Sequence, residues 1–96
     1  MIVAAAEIRL VVRGSRSLKE KRQAIKPIKD RVAGTFGVAV AEVDDLDLHQ
    51  SAVLGVAAVG NDSKHLTGLI QRVIDFIRAN PHAELVDSHF DVLHFD

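Results

Sequence analysis

Lysine and arginine are the residues here whose spacing most clearly implies chemistry, because eight of the chain's twelve fall between Arg13 and Arg31. Arg13, Arg16, Lys19, Lys21, Arg22, Lys26, Lys29 and Arg31 stand against only Glu20 and Asp30, a net charge of +6 over that stretch. The remainder carries −7, so an overall charge of −1 conceals a polarised molecule. Ammonium and guanidinium groups grouped this densely attract phosphate and carboxylate, and their summed field steers an anionic partner to one side.

Ser17 followed three residues later by Glu20 is the pattern of a capping box, in which hydroxyl and carboxylate each satisfy a free backbone N–H, so a helix is expected to begin here. At 100° per residue, Leu18, Ile25, Ile28, Val32 and Phe36 share one arc, the expected buried stripe. Lys19, Arg22, Lys26 and Lys29 share a neighbouring arc about 80° wide with no acid among them. The plainer alternative is a solvated face that keeps the helix soluble. Ahead of the helix, Arg13-Gly14-Ser15-Arg16-Ser17 joins a glycine, two hydroxyls and two guanidinium groups to the N–H groups of a helix start, which attract anions. A phosphate there is expected to meet main-chain donors and Arg13 or Arg16, with Lys19 one turn in. An ordinary polar connection is the alternative, since no Walker-type spacing is present. Pro27 removes one helical hydrogen bond and clashes with the carbonyl of Gln23, so either a kink or two helical segments are expected, with Lys29 the cation that leaves the track. The candidate nucleic-acid-binding residues are therefore Arg13, Arg16, Ser17, Lys19, Arg22, Lys26 and Lys29.

Two acidic groupings compete for attention. Glu42, Asp44, Asp45, Asp47 and His49 offer oxygen and imidazole ligands, but consecutive strand residues point opposite ways and no recognised loop spacing appears, so a solvated acidic loop is the better account. Asp87, His89 and Asp91 fall on one strand face with His94 nearby, which a charged edge that discourages strand pairing explains without a metal. No catalytic residues, metal ligands or cofactor motif are expected. The absence of cysteine excludes disulfides and thiol catalysis and fits a reducing cytoplasm. The apolar start, Ile2 to Ala6, is far too short to span a membrane.

The elements that position these residues follow from periodicity. Ile2 to Val12 alternates, with Ile2, Ala4, Ala6, Ile8, Leu10 and Val12 on one face and Val3, Ala5, Glu7, Arg9 and Val11 on the other, the mark of a half-buried strand. Gly34 and Gly37 bracket Phe36 and end the basic helix. A second strand is expected from Val38 to about Val43 and a third from Ala52 to Val59, joined by a polar loop from Asp44 to Gln50. Asn61-Asp62-Ser63 caps a second helix carrying Leu66, Leu69, Ile70, Val73, Ile74 and Ile77, which Asn80-Pro81 stops. A last strand runs from about Ala83 to Val92. The order strand, helix, strand, strand, helix, strand is the ferredoxin-like βαββαβ unit, so residues 1–96 are expected to form one α+β domain with both helices on one face of a four-stranded sheet. Strands one and three belong in the centre, and the other sheet face is left uncovered.

Three segments carry a resemblance: Arg16-Ser17-Leu18-Lys19-Glu20-Lys21-Arg22, then Val40-Ala41-Glu42-Val43, then Ala52-Val53-Leu54-Gly55-Val56-Ala57 with Asn61-Asp62. The chain resembles the bacterial YlxP-like family along nearly its whole length. That resemblance implies a small ferredoxin-like protein without an established activity. It also implies, through the association of such genes with translation initiation and ribosome maturation factors, a link to RNA or the ribosome. Where the family usually carries an aromatic before the glutamine of the third strand, this chain has His49-Gln50, and Pro27 replaces the commoner serine.

The RNA-recognition motif shares this topology but stacks bases on aromatics of its central strands, and strands one and three here have none. RNA is therefore expected to meet the helix side through phosphates. Two other classes remain. Acylphosphatases share the topology and hold phosphate in the loop after strand one, a role open to Arg13 or Arg16 by analogy. The uncovered sheet face, or a free edge strand, also offers a surface for a homodimer.

Overall fold

Alternation of apolar residues from Ile2 onward forms a strand whose even-numbered side chains are sealed from water from Ala4 on, with Ala4, Ile8 and Leu10 all 0% exposed. The computed structural model describes residues 1–95. In chain order the elements are β1 (Ile2–Val11), α1 (Leu18–Phe36), β2 (Ala39–Asp44), β3 (Ser51–Gly60), α2 (Ser63–Arg78) and β4 (Glu84–His94). The sheet order is β2-β3-β1-β4, every neighbouring pair antiparallel. The architecture is the ferredoxin-like α+β fold, with β1 and β3 central. Both helices pack on one face, α1 over β2 and β3 and α2 over β1, β3 and β4.

Between helices and sheet lies one apolar core, in which Ile25, Ile28 and Val32 of α1 and Leu66, Ile70 and Ile77 of α2 meet Ile8, Leu10 and Leu54. Phe36 and Phe76 join the two helices edge to face, ring centres 5.5 Å apart, a geometry that sets the positive rim of one ring against the face of the other.

α1 starts as the capping box requires: the Ser17 hydroxyl accepts from the Glu20 N–H at 3.1 Å. The Glu20 carboxylate reaches one residue further back than the usual pattern and accepts from the Arg16 N–H. The helix passes through Pro27 as a single 19-residue element. Gln23 and Pro27 are both exposed, so the carbonyl that loses its donor at Pro27 faces water, which replaces the missing bond. Gly34 continues the helix, and Gly37 alone ends it, at φ 66° with its N–H donating to the Ala33 carbonyl. That left-handed backbone is readily adopted only by glycine. In α2 the Asp62 carboxylate caps the N–H groups of Lys64 and His65.

The sheet's second face is open. Arg9 lies opposite Val53 in the register and its guanidinium reaches Asp45 at 2.6 Å, beyond β3. The ion pair thus crosses β3 at Val53, and this explains why Val53 is only 3% exposed on an otherwise uncovered face. No helix among the described residues is long and apolar enough to cross a membrane.

Candidate nucleic-acid interface

Stepping 100° per residue along α1 puts Lys21 between Ile28 and Val32, in the middle of the buried stripe. The side chain is there, 1% exposed. An ammonium is expensive to remove from water unless paired and hydrogen-bonded. Lys21 Nζ lies 2.7 Å from a Glu42 carboxylate oxygen and donates to the carbonyls of Asp45 and Ser51 at 3.0 and 3.1 Å. One side chain therefore fastens α1 to β2, to the loop after it and to the start of β3. Asp45 extends the junction: its carboxylate accepts from the Ser51 hydroxyl at 2.7 Å and pairs with Arg9. The Ser51 hydrogen bond above all, aided by the Arg9 charge, holds the Asp45 carboxyl below the usual carboxylate range. Glu42 and Asp45, expected from the sequence to belong to a solvated acidic loop, are instead engaged by basic and hydroxyl partners. Asp44 accepts from the Asp45 N–H. Asp87, His89 and Asp91 sit on the open sheet face, opposite Arg9, Glu7 and Ala5 of β1. Among the described residues no three His, Asp or Glu side chains come close enough to hold a metal ion.

The cations outside the stripe form the surface. Arg22, Lys26 and Lys29 line one cleft of about 240 Å³ between α1 and β2, with Ile25, Asp30 and Glu42. Because the helix continues through Pro27, Lys29 stays on this flank. Lys19 is exposed on the same arc, one turn before Arg22 and two before Lys26. Lys26 pairs with Asp30 at 2.6 Å, both ends well exposed. Among the described residues Arg16, Lys19, Arg22 and Lys29 lie within ion-pair distance of no acid. Arg31 lies on the opposite flank with Glu20, Gln23 and His82.

The segment before α1 is arranged differently from a phosphate cradle. Arg13 Nε turns to Glu84 of β4 at 2.7 Å, and the resulting hydrogen bond, then the charge, raises the arginine's affinity for its proton. Ser17 Oγ and the Glu20 carboxylate take up the N–H groups of Glu20 and Arg16, so donors that a ligand anion would use are met from within. Lys19, Arg22, Lys26 and Lys29 are brought together; Arg13 is drawn away, and Ser17 serves as the cap.

The sequence profile of the family described as "Protein of unknown function (DUF503)" matches residues 3–90. The chain belongs to this family. It is 34% identical over 83 residues to "Uncharacterized protein YlxP" of Bacillus subtilis (strain 168), which spans 86% of this chain and 90% of that protein. The YlxP-like resemblance read from the three sequence segments therefore stands. Among solved structures the fold is similar to the de novo designed protein Foldit4, with a TM-score of 0.57 over the whole of both chains and 13% identity. That likeness concerns the fold alone, and a fold hosts many functions or none.

Within this family member, the residue that sequence reasoning passed over is Lys21. Counted with the cations, it belongs to the core, and the helical arithmetic that defined the stripe already contained the signal. What remains on the flank is a row of positive groups, Lys29 half-buried and the others exposed, beside a shallow cleft, chemistry suited to holding a polyanion.

Proposed function

We propose that this protein is a non-enzymatic binding module that engages RNA, as part of a ribosomal particle, through the α1 flank bearing Lys19, Arg22, Lys26 and Lys29. The observation that carries this reading is the alignment of Lys19, Arg22 and Lys29 on one flank with no acidic partner among the described residues. Exposed cations on a rigid rod neutralise successive phosphates and release counterions, which gives affinity with little sequence preference. The lack of aromatics on β1 and β3 supports backbone contact over base stacking. Such a role places the protein in the cytoplasm with its partner.

Changing Lys19, Arg22 and Lys29 together to Glu is expected to abolish co-sedimentation with ribosomal particles, while unfolding free energy moves by no more than about 1.5 kcal/mol, surface sites contributing about 0.5 each. For the unmodified protein, log affinity for RNA is expected to fall with a slope of about −2 to −3 against log salt, for about three phosphates neutralised by Lys19, Arg22 and Lys29. Undiminished sedimentation of the triple variant refutes the reading. A phosphoryl hydrolase is disfavoured by the Glu20 carboxylate seated at the helix start, and no turnover of acetyl phosphate is expected.

A further inference from the structure

We propose that the open sheet face binds a second copy of this chain, face to face about a twofold axis at Ala57. The observation behind this is a ridge and a hollow side by side on that face. Val59, Val3 and Leu93 are register neighbours across β3, β1 and β4, and Val59 is 66% and Leu93 50% exposed. Met1 and Phe95, bonded to each other through their main chains, continue the ridge at 65% and 51% exposure.

One row inward the side chains shrink. Ala5, Ala57 and Ala39 lie level with one another, then Gly55 and Ala41, and together with Val43 and Glu7 they border an apolar hollow of about 400 Å³. Val59 lies two residues to one side of Ala57 along β3 and Gly55 two to the other. A twofold axis lying in the interface across β3 at Ala57 therefore carries the Val59 ridge of each copy over the hollow of its partner. Such reciprocity is what an isologous contact demands, and a partner of unrelated sequence has no reason to reproduce it.

Area sets the strength. Three strands of ten or eleven residues and one of six, about 4.8 Å apart with about 3.3 Å per residue, present roughly 600 Å² in projection, so a pair hides roughly 1,200 Å², the lower edge of what a specific contact needs. The charged side chains of β4, Asp87, His89 and Asp91, fall at the edge of the sheet, where a polar rim belongs. A weak, reversible dimer is the expectation at that area, with each α1 flank on an outer surface.

Sedimentation equilibrium over rising protein concentration is the test, with Val59→Asp as the disrupting variant and circular dichroism to verify its fold. The unmodified chain is expected to dimerise, and somewhat more tightly at high salt, because the axis at Ala57 also sets Asp91 of each copy level with its counterpart. Val59→Asp is expected to weaken the dimer at least tenfold. Since the chain has no cysteine, Ala57→Cys treated with a short bis-maleimide is expected to cross-link to its own copy, and Arg22→Cys is not. A protein that stays monomeric at every concentration overturns the proposal, leaving the face to some other partner. A dimer indifferent to Val59→Asp overturns it as well, since edge-strand pairing would then hold the copies together.

Discussion

Lys21 and Arg22 are neighbours in the chain and opposites in the fold. A single helical step of 100° takes one into the core, 1% exposed against Glu42, and leaves the other on the surface beside Lys26 and Lys29. The difference shows that a count of basic residues overstates a basic surface: part of the charge that makes residues 13 to 31 conspicuous serves to fasten the helix to the sheet. Burying an ammonium is tolerable only where a carboxylate and several carbonyls are already fixed around it. The binding flank has no such requirement: Lys19, Arg22 and Lys29 are held in ion pairs with none of the described acids.

The largest effect expected from separating these roles is on stability. Lys21→Met leaves Glu42 buried without its partner and strands two carbonyls, a loss of about 3 to 5 kcal/mol, or a fall in melting temperature of more than about 10 °C for a domain of this size. Arg22→Met is expected to change stability by no more than about 0.5 kcal/mol. Adding Glu42→Leu to Lys21→Met removes the orphaned carboxylate and is expected to restore a large part of the loss. Thermal unfolding of the four proteins by circular dichroism checks the pattern, and Lys21→Met melting with the unmodified chain would dissolve the distinction between the buried cation and the exposed one.

Much of this architecture was legible because it is written in local periods. The alternation of β1, the Ser17 and Glu20 cap, the Asp62 cap and the α2 stripe all act within a few residues, and all six elements appear where those signals put them. Strand ends were less legible. β3 gains Ser51 and Gly60, and β4 extends to His94, because both pair along the full length of β1 and a strand's end is set by its neighbour. Pro27 argued for a break that the exposed side of α1 does not need. Least legible were the ion pairs across long separations: Lys21 with Glu42, Arg9 with Asp45 and Arg13 with Glu84 lie 21, 36 and 71 residues apart. No local pattern names such partners, although the position of Lys21 within the stripe showed that it needed one.

A smaller effect separates the buried junction from the flank by pH. The Asp45 carboxyl is held below its ordinary value of 3.8 in the folded chain. A depressed carboxyl contributes stability that is fully present above the ordinary value and is lost as pH falls through the lower folded one. Asp45→Asn is therefore expected to be less stable than the unmodified protein at neutral pH, with the gap closing below about pH 4. Melting curves across that range test this, and a gap independent of pH would mean that Asp45 acts through shape rather than charge. Binding by the cationic flank should show no matching change from Asp45→Asn at neutral pH.

The smallest effect concerns Lys26, the flank cation that is ion-paired among the described residues. Lys26 and Asp30 are separated by one helical turn with their side chains 71% and 62% exposed, and with lysine on the N-terminal side, the less favourable order. Such a pair contributes at most about 0.5 kcal/mol to stability, so Asp30→Asn is expected to leave the melting temperature almost unchanged. Its effect on binding has the other sign. Releasing Lys26 from a competing carboxylate adds one cation to the row formed by Lys19, Arg22 and Lys29, which should steepen the salt dependence of RNA affinity by up to about one unit of slope. A steeper slope means that Lys26 faces the phosphates and that its ion pair had been masking it. A slope identical to that of the unmodified chain would confine the contact to Lys19, Arg22 and Lys29 and leave Lys26 outside it.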